Sequence, residues 1–162
     1  MNASSRLKGV VETLAALAVI GSLVFVGIQV RQNSEATRAA ATQELGQSWV
    51  DWNVAMATRE IQEAVLVVEQ FGDPSEAPPV EQRIAESYTR SLFSNWSISY
   101  YQYRMGILDE PLWDGVLRDM SRSVDPANPF GRLIHWTWTR NREVYNVRFA
   151  ALMDSLLAAP AR

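Results

Sequence analysis

The chain has 162 residues, which is enough for one compact domain and an additional element. Hydrophobic residues make up 48% of it and include six Trp, so the sequence can bury a substantial core and is not globally disordered. The formal net charge of −3 argues against a general nucleic-acid binder, which needs a basic surface to neutralise phosphates. The lack of Cys excludes disulfides, thiolate zinc sites and thiol catalysis.

The first predicted element is a transmembrane helix over residues 10–30, preceded by a short flank, residues 1–9. From Leu14 to Ile28 no residue is charged, and with its neighbours this segment reaches the roughly 20 residues that cross a bilayer. A cleaved signal peptide needs a small-residue site of the Ala-x-Ala type soon after the apolar run, and Ala39–Ala41 lies too far downstream. A buried core helix would carry a polar stripe, which this segment lacks. The sequence therefore favours a membrane anchor, with the lipid bilayer as its partner.

The charges on either side of the apolar segment bear on its orientation. Two basic residues and the terminal amine precede it, whereas Arg31 and Arg38 follow it, so the positive-inside rule gives a small preference for a cytoplasmic N-terminus. This orientation predicts a single-pass protein of a bacterial inner membrane with its main domain in the periplasm. A small homo-oligomeric channel is an alternative, which would require Glu12 or Gln29 to face a shared axis.

Residues 31–71 contain no Pro and a single Gly, and they are rich in the good helix formers Ala, Glu, Gln and Arg. We therefore expect the anchor helix to continue beyond residue 30 and to break near Thr58. Spacings of 4, 3 and 4 predict a core-facing stripe formed by Leu45, Trp49, Trp52 and Met56. The segment GDPSEAPP, residues 72–79, predicts a loop.

The second half of the chain is predicted to be helical, without strand alternation or internal repeats. A helix from residue 80 or 81 carries the stripe Ile84, Tyr88, Leu92, Trp96, Tyr100 and Tyr103. A second loop, residues 125–131, contains Asn128 as N-cap and Pro129 as the first helical residue. Residues 129–158 form either one helix or two, with Asn146 as the cap of the second. The predicted fold is all-α: an N-terminal transmembrane helix continues into an antiparallel bundle of about four to five helices, with an extramembrane domain over residues 31–158 and a frayed tail over residues 159–162.

The stretch YYQYRMGILDEPLW, residues 100–113, predicts a turn between two helices. Gly106 is expected to end the first helix with a positive φ, and Arg104 suits the negative end of the helix dipole. Asp109 is expected to cap the next helix, with Leu108 packed on Trp113 as a hydrophobic staple. The stretch is therefore interpreted as a structural turn and not as a ligand site.

This turn and the segment LVFVGIQVRQNSEATRAA, residues 23–40, resemble a family of uncharacterised bacterial proteins that have an N-terminal membrane anchor and a helical domain. The residues that carry the resemblance are Gln29, Arg31, Gln32 and Asn33 at the predicted membrane exit, and Gly106, Asp109 and Trp113 at the turn. The resemblance implies an anchor followed by a helical domain. It implies no activity, cofactor or catalytic residue.

Few residues offer catalytic chemistry. His135 is the single histidine, and its surroundings, RLIHWTWT, lack the nucleophile-elbow pattern of many Ser-His-acid hydrolases, so we interpret it as a core or interface residue. The sequence also lacks Glu-x-x-His pairs for a carboxylate-bridged metal site, a Walker A motif and a dinucleotide-binding glycine motif. It predicts a non-enzymatic protein without a cofactor or metal.

The predicted function is that of an interaction protein, namely a scaffold or accessory subunit that binds protein partners or further copies of itself at the membrane. A ligand-binding, sensor-like bundle is the alternative, because aromatic side chains also line pockets for small apolar or cationic ligands. The candidate pocket or interface residues are Trp96, Tyr100, Tyr103, Trp136 and Trp138.

Overall fold

The computed structural model describes the backbone of residues 3–159 and the side chains of residue 12 and residues 14–159. Helix accounts for 85% of the chain, and the described residues contain no strand. The all-α class predicted from the sequence is therefore confirmed. The chain divides at Ala40 into two compact units, a first unit up to that residue and a second unit from Ala41 onward.

The described residues form six α-helices. They are α1 (Ala3–Met56), α2 (Arg59–Glu69), α3 (Pro79–Arg104), α4 (Glu110–Ser123), α5 (Pro129–Asn141) and α6 (Val147–Leu157). Helix α1 continues well beyond residue 30, as the sequence predicts. The six helices exceed the predicted four to five because residues 129–158 form two helices.

The interruption between α1 and α2 and the one before α6 each have a local cause. Thr58 is extended, with φ −69° and ψ 135°, and the side chain of Gln62 donates a 2.7 Å hydrogen bond to the carbonyl oxygen of Met56 at the end of α1. Asn146 is also extended, and its side chain accepts a 2.9 Å hydrogen bond from the amide of Arg148 in the first turn of α6. These side chains satisfy helix-end groups that otherwise lack partners.

The predicted loop at residues 72–79 contains a short 3-10 turn, Pro74–Glu76. Asp73 caps this turn by accepting a 2.8 Å hydrogen bond from the amide of Ser75, which lowers the pKa of the Asp73 carboxyl. Helix α3 begins at Pro79, one residue before the earliest predicted start, since Pro is compatible with the first helical position.

The end of α3 has the geometry expected from the sequence. Gly106 has a φ of 69°, in the left-handed region that is strained for residues with a Cβ. The amides of Ile107 and Leu108 both donate to the carbonyl oxygen of Gln102, at 2.9 and 3.1 Å. The carbonyl groups of the last turn are thereby satisfied and the chain leaves the helix axis.

The N-cap of α4, Asp109, follows three residues after Gly106, and α4 begins at Glu110. The side chain of Asp109 accepts a 3.3 Å hydrogen bond from the amide of Leu112, so it is the N-cap. Leu108 and Trp113 are both buried and belong to the same hydrophobic cluster. Together the cap and the two buried side chains fix the start of α4.

The second unit has two hydrophobic clusters, and α3 contacts α2, α4 and α5. The larger cluster contains the buried residues Leu45, Leu92, Phe93, Trp96, Leu108, Trp113, Met120, Val124, Ile134, Trp138, Phe149, Ala150 and Met153. The smaller cluster contains Val65, Val68, Ala77, Ala85 and Leu133. At the junction of α4 and α5, a Cβ built on Gly131 would overlap the backbone carbonyl of Asp125, so only Gly fits this close approach.

In its described residues the first unit consists of the part of α1 up to Ala40. Every described side chain from Leu14 to Ala40 is exposed, and the most apolar 18-residue window of α1 has a mean hydropathy of 2.0 with none of its residues buried. By length and composition α1 can cross a membrane, and it is the one such helix among the described residues.

Candidate ligand-binding clefts

Two of the five predicted pocket aromatics lie in the core. Trp96 is fully buried and Trp138 is 3% exposed, and both contact Phe93, with ring centroids 5.8 and 5.4 Å apart. Each indole N–H has a carboxylate acceptor: Trp96 donates to Asp119 at 3.2 Å and Trp138 donates to Asp154 at 2.9 Å. These hydrogen bonds satisfy the polar edge of each buried ring.

The other three predicted aromatics are partly buried and do not form one group. Tyr103 stacks on Trp113 with ring centroids 5.0 Å apart, and Tyr100 contacts the same indole at 5.8 Å. Trp136 packs against the smaller cluster instead, with the guanidinium of Arg140 4.9 Å from its ring centroid. The five residues therefore divide between two clusters, and their main role here is packing.

The residues of the predicted membrane exit, Gln29, Arg31, Gln32 and Asn33, lie within five positions of α1 and are all exposed. Arg31 forms an exposed ion pair with Glu35 one turn later, at 2.9 Å. Such a pair stabilises a helix by only a few tenths of a kcal/mol, roughly 0.3–0.5.

His135 lies beside the end of α4, where its Nε2 is 3.0 Å from the carbonyl oxygen of Val124. The ring is half-buried. This contact gives the histidine a structural partner that links α5 to the C-cap of α4.

A different set of aromatics lines the first of two clefts in the second unit. This cleft, which we name the Asp119 cleft, has a volume of about 400 Å³. It is lined by Trp49, Trp52, Asn53, Leu92, Leu112, Gly115, Val116, Asp119, Ser123 and Phe130. Its size falls within the range of small-molecule sites, roughly 300–1,000 Å³.

The tryptophan wall of the Asp119 cleft is fixed by neighbouring side chains. The rings of Trp49 and Trp52 meet edge to face, with centroids 5.8 Å apart and planes at 79°. Trp52 stacks on Tyr88 at 5.3 Å and donates its indole N–H to the hydroxyl of Ser91 at 3.1 Å. These contacts hold the Trp52 ring in one orientation without closing the cleft.

The second cleft shares Trp52 as a lining residue with the first. This Arg83 cleft has a volume of about 410 Å³ and is lined by Trp52, Ala55, Met56, Ile61, Arg83, Ile84, Ser87, Tyr88 and Ser91. Burial raises the pKa of Tyr88, and the carboxylates of Asp119 and Glu69 raise it further. The phenol is therefore neutral at physiological pH, and Arg83 is the charged residue of this cleft.

The tryptophans of the two clefts were assigned to a core-facing stripe by sequence spacing. The ends of that stripe do face the core, since Leu45 and Met56 are 7% and 8% exposed. Trp49 and Trp52 between them are only partly buried. Each of these tryptophans has a polar neighbour in the sequence, Ser48 beside Trp49 and Asn53 beside Trp52. These neighbours are the sequence signal that this part of α1 lies at the edge of the core, in contact with solvent.

Comparison with known protein families, curated proteins and solved structures finds no match to this chain. The function proposed below is therefore inferred from the residues of this chain.

Proposed function

We propose that the protein is a single-pass membrane protein whose second unit is an antiparallel helical bundle that serves as a scaffold or accessory subunit. In this proposal α1 crosses a bacterial inner membrane, the second unit lies on the periplasmic side, and its partner is another protein or a second copy of the chain. The role requires no catalytic step.

The exposure of the apolar residues of α1 is the observation that carries the proposal. The large apolar side chains between Leu14 and Val30 are all between 51% and 66% exposed, with no shielded face. A helix that is apolar on every side is stable in lipid, where its backbone groups are satisfied internally, and it would aggregate in water. Lipid accounts for this exposure better than a protein partner, which would cover one face.

A partner-binding surface is supported by a second apolar feature, on the α1 segment of the second unit. Val50 and Val54 are 53% and 66% exposed and lie four residues apart, so they share one face of the helix. The tryptophans at positions 49 and 52 point to the clefts, which leaves this valine pair on a separate surface.

Membrane insertion is tested by placing two arginines in the apolar segment, at Leu23 and Val24. Each Arg costs about 2.5–3.5 kcal/mol at the centre of a transmembrane helix, so we expect the double variant to appear in the soluble or aggregated fraction after carbonate extraction. The matched control places two arginines at Val50 and Val54, and this variant should remain in the membrane. Equal extraction of both variants would contradict the anchor.

The orientation is tested by single-cysteine labelling, which the chain permits because it contains no Cys. We expect Ala36→Cys to react with a membrane-impermeant maleimide in intact cells and Ser5→Cys to react only after permeabilisation. The reverse pattern would place the second unit in the cytoplasm.

The scaffold role is tested by mass measurement of the protein extracted from its source membrane in a non-ionic detergent. We expect a stoichiometric partner or a homo-oligomer, which dissociates when Val50 and Val54 are both changed to Asp. The matched control changes Leu66 and Val80, two other exposed apolar residues, to Asp. A monomer without bound protein would refute this role.

A further inference from the structure

We propose that the Asp119 cleft binds an organic cation, namely a quaternary or methylated ammonium group attached to a small apolar body. The inference goes beyond the scaffold role and does not depend on it, because the cleft belongs to the second unit alone.

The charge of the cleft gives the sign of the ligand. Asp119 is the one charged residue in its lining, and no Lys or Arg in the described part of the chain lies within ion-pair distance of this carboxylate. The indole N–H of Trp96 donates to Oδ2 of Asp119 at 3.2 Å, which orients the carboxylate from the core side. A cationic ligand would supply the counter-charge that the protein does not.

The aromatic walls favour a soft, weakly hydrated cation over a compact ammonium or a metal ion. Trp49, Trp52 and Phe130 all line the cleft. The two indole planes meet edge to face at 79° and form an aromatic corner, in which Trp52 stacks one face on Tyr88 and offers a cation its other face at most. Indole rings attract cations through their quadrupole, and cages of aromatic rings with a carboxylate suit methylated ammonium groups.

The remaining lining defines the rest of the ligand. Leu92, Leu112 and Val116 add apolar surface beside the aromatic corner, and the cleft volume of about 400 Å³ exceeds what an ammonium group alone would fill. The hydroxyl of Ser123 and the amide of Asn53 offer hydrogen bonds to an ester, hydroxyl or phosphate oxygen next to the cation. The ligand is therefore a cation with an apolar chain and a short polar link.

The neighbouring Arg83 cleft differs from the Asp119 cleft in the sign of its charged residue. It has nearly the same volume and shares Trp52, but its charged residue is a cation. An organic cation should enter the Asp119 cleft and be repelled from the Arg83 cleft.

The test uses the full chain in a non-ionic detergent and choline as the probe. Binding is followed by isothermal titration calorimetry and by tryptophan emission. The uncharged isostere of choline, in which a quaternary carbon replaces the nitrogen, is the ligand control. We expect choline to bind about tenfold more tightly than the isostere, or better, because the isostere lacks both the charge and the cation–π attraction.

Two variants address the site itself. Asp119→Asn keeps an acceptor for the Trp96 indole but removes the charge, and it should weaken choline binding about tenfold. Gly115→Leu should weaken it by a similar factor, since Gly115 lines the cleft, no atom lies within 4 Å of a Cβ built on it, and the larger side chain would take up ligand volume. Asp114→Asn on the same helix and Arg83→Gln in the other cleft are the matched controls, and both should bind choline as the parent does.

Each outcome bears on the proposal. Equal affinity for choline and its isostere, equal loss in the Asp119 and Asp114 variants, or no binding of choline would overturn it. Thermal unfolding of each variant separates lost binding from lost folding, and Gly115→Leu provides an independent result if Asp119→Asn fails to fold. A short-chain phosphatidylcholine below its micelle concentration identifies the source of the cation: tighter binding than choline indicates a lipid headgroup, and weaker binding indicates a free small molecule.

Discussion

Replacing Gly106 by Val tests the turn between α3 and α4 through backbone conformation alone. The left-handed region costs an L residue about 1–2 kcal/mol. Part of this is offset because Val has less conformational freedom than Gly in the unfolded chain, an effect of about 0.4–1 kcal/mol. No atom lies within 4 Å of a Cβ at this position, so no steric clash adds to the cost. We expect a net loss of about 1 kcal/mol in the free energy of unfolding.

Tryptophan emission is the appropriate measurement, since all six Trp lie between residues 49 and 138 and therefore report on the second unit. A loss of about 1 kcal/mol should lower the Tm by about 3–6 °C for a unit of this size. Two controls isolate the cause. Gly106→Asn should lose less, because Asn tolerates a positive φ. Gly115→Ala, in the middle of α4 with open space around its Cβ, should raise the stability by about 0.5–1 kcal/mol.

An unchanged Tm in Gly106→Val would refute this account of the turn. Equal losses in the Val and Asn variants would also refute it, because the cost would then come from the side chain and not from φ.

Three other predictions follow from local contacts. Asp109→Ala should cost about 1 kcal/mol by removing the N-cap of α4, and Asp109→Asn should restore most of it, as urea unfolding will show. Gly131→Ala should cost about 1–3 kcal/mol because its Cβ would meet the backbone of Asp125, in contrast to the gain at Gly115. The pKa of Asp154 is lowered in the folded state by hydrogen bonds from Arg142 and then from Trp138, so its contribution to stability is present at neutral pH and is lost as the pH falls through that lowered value. The acid-induced loss of Tm should therefore be smaller in Asp154→Asn, and an identical pH profile would contradict the role of this carboxylate.

The helix ends were predictable from the sequence because they depend on a few adjacent residues. Gly106 is required by a backbone conformation, and Asp109 and Asn128 offer side-chain oxygens where helix amides lack partners. Such chemistry is complete within one turn of helix, so spacing alone identifies it.

The Asp119 cleft was not predictable because its walls come from four helices that are far apart in the chain. Trp49 is on α1, Leu92 is on α3, Asp119 is on α4 and Phe130 is on α5. Helical spacing predicts which residues share a face of one helix. It does not predict where the faces of two neighbouring helices leave a cleft between them. The division of the five predicted aromatics between two clusters is a tertiary result of the same kind.

Trp52 lines both clefts, so its position can affect ligand affinity in each of them. A ligand that shifted this indole in one cleft would change the shape of the other, and the two occupancies would then be linked by a coupling free energy. By reciprocity, occupancy of the Arg83 cleft would alter affinity in the Asp119 cleft by the same factor as the reverse. The hydrogen bond from the indole to Ser91, at 3.1 Å, restrains the ring and so opposes such a shift.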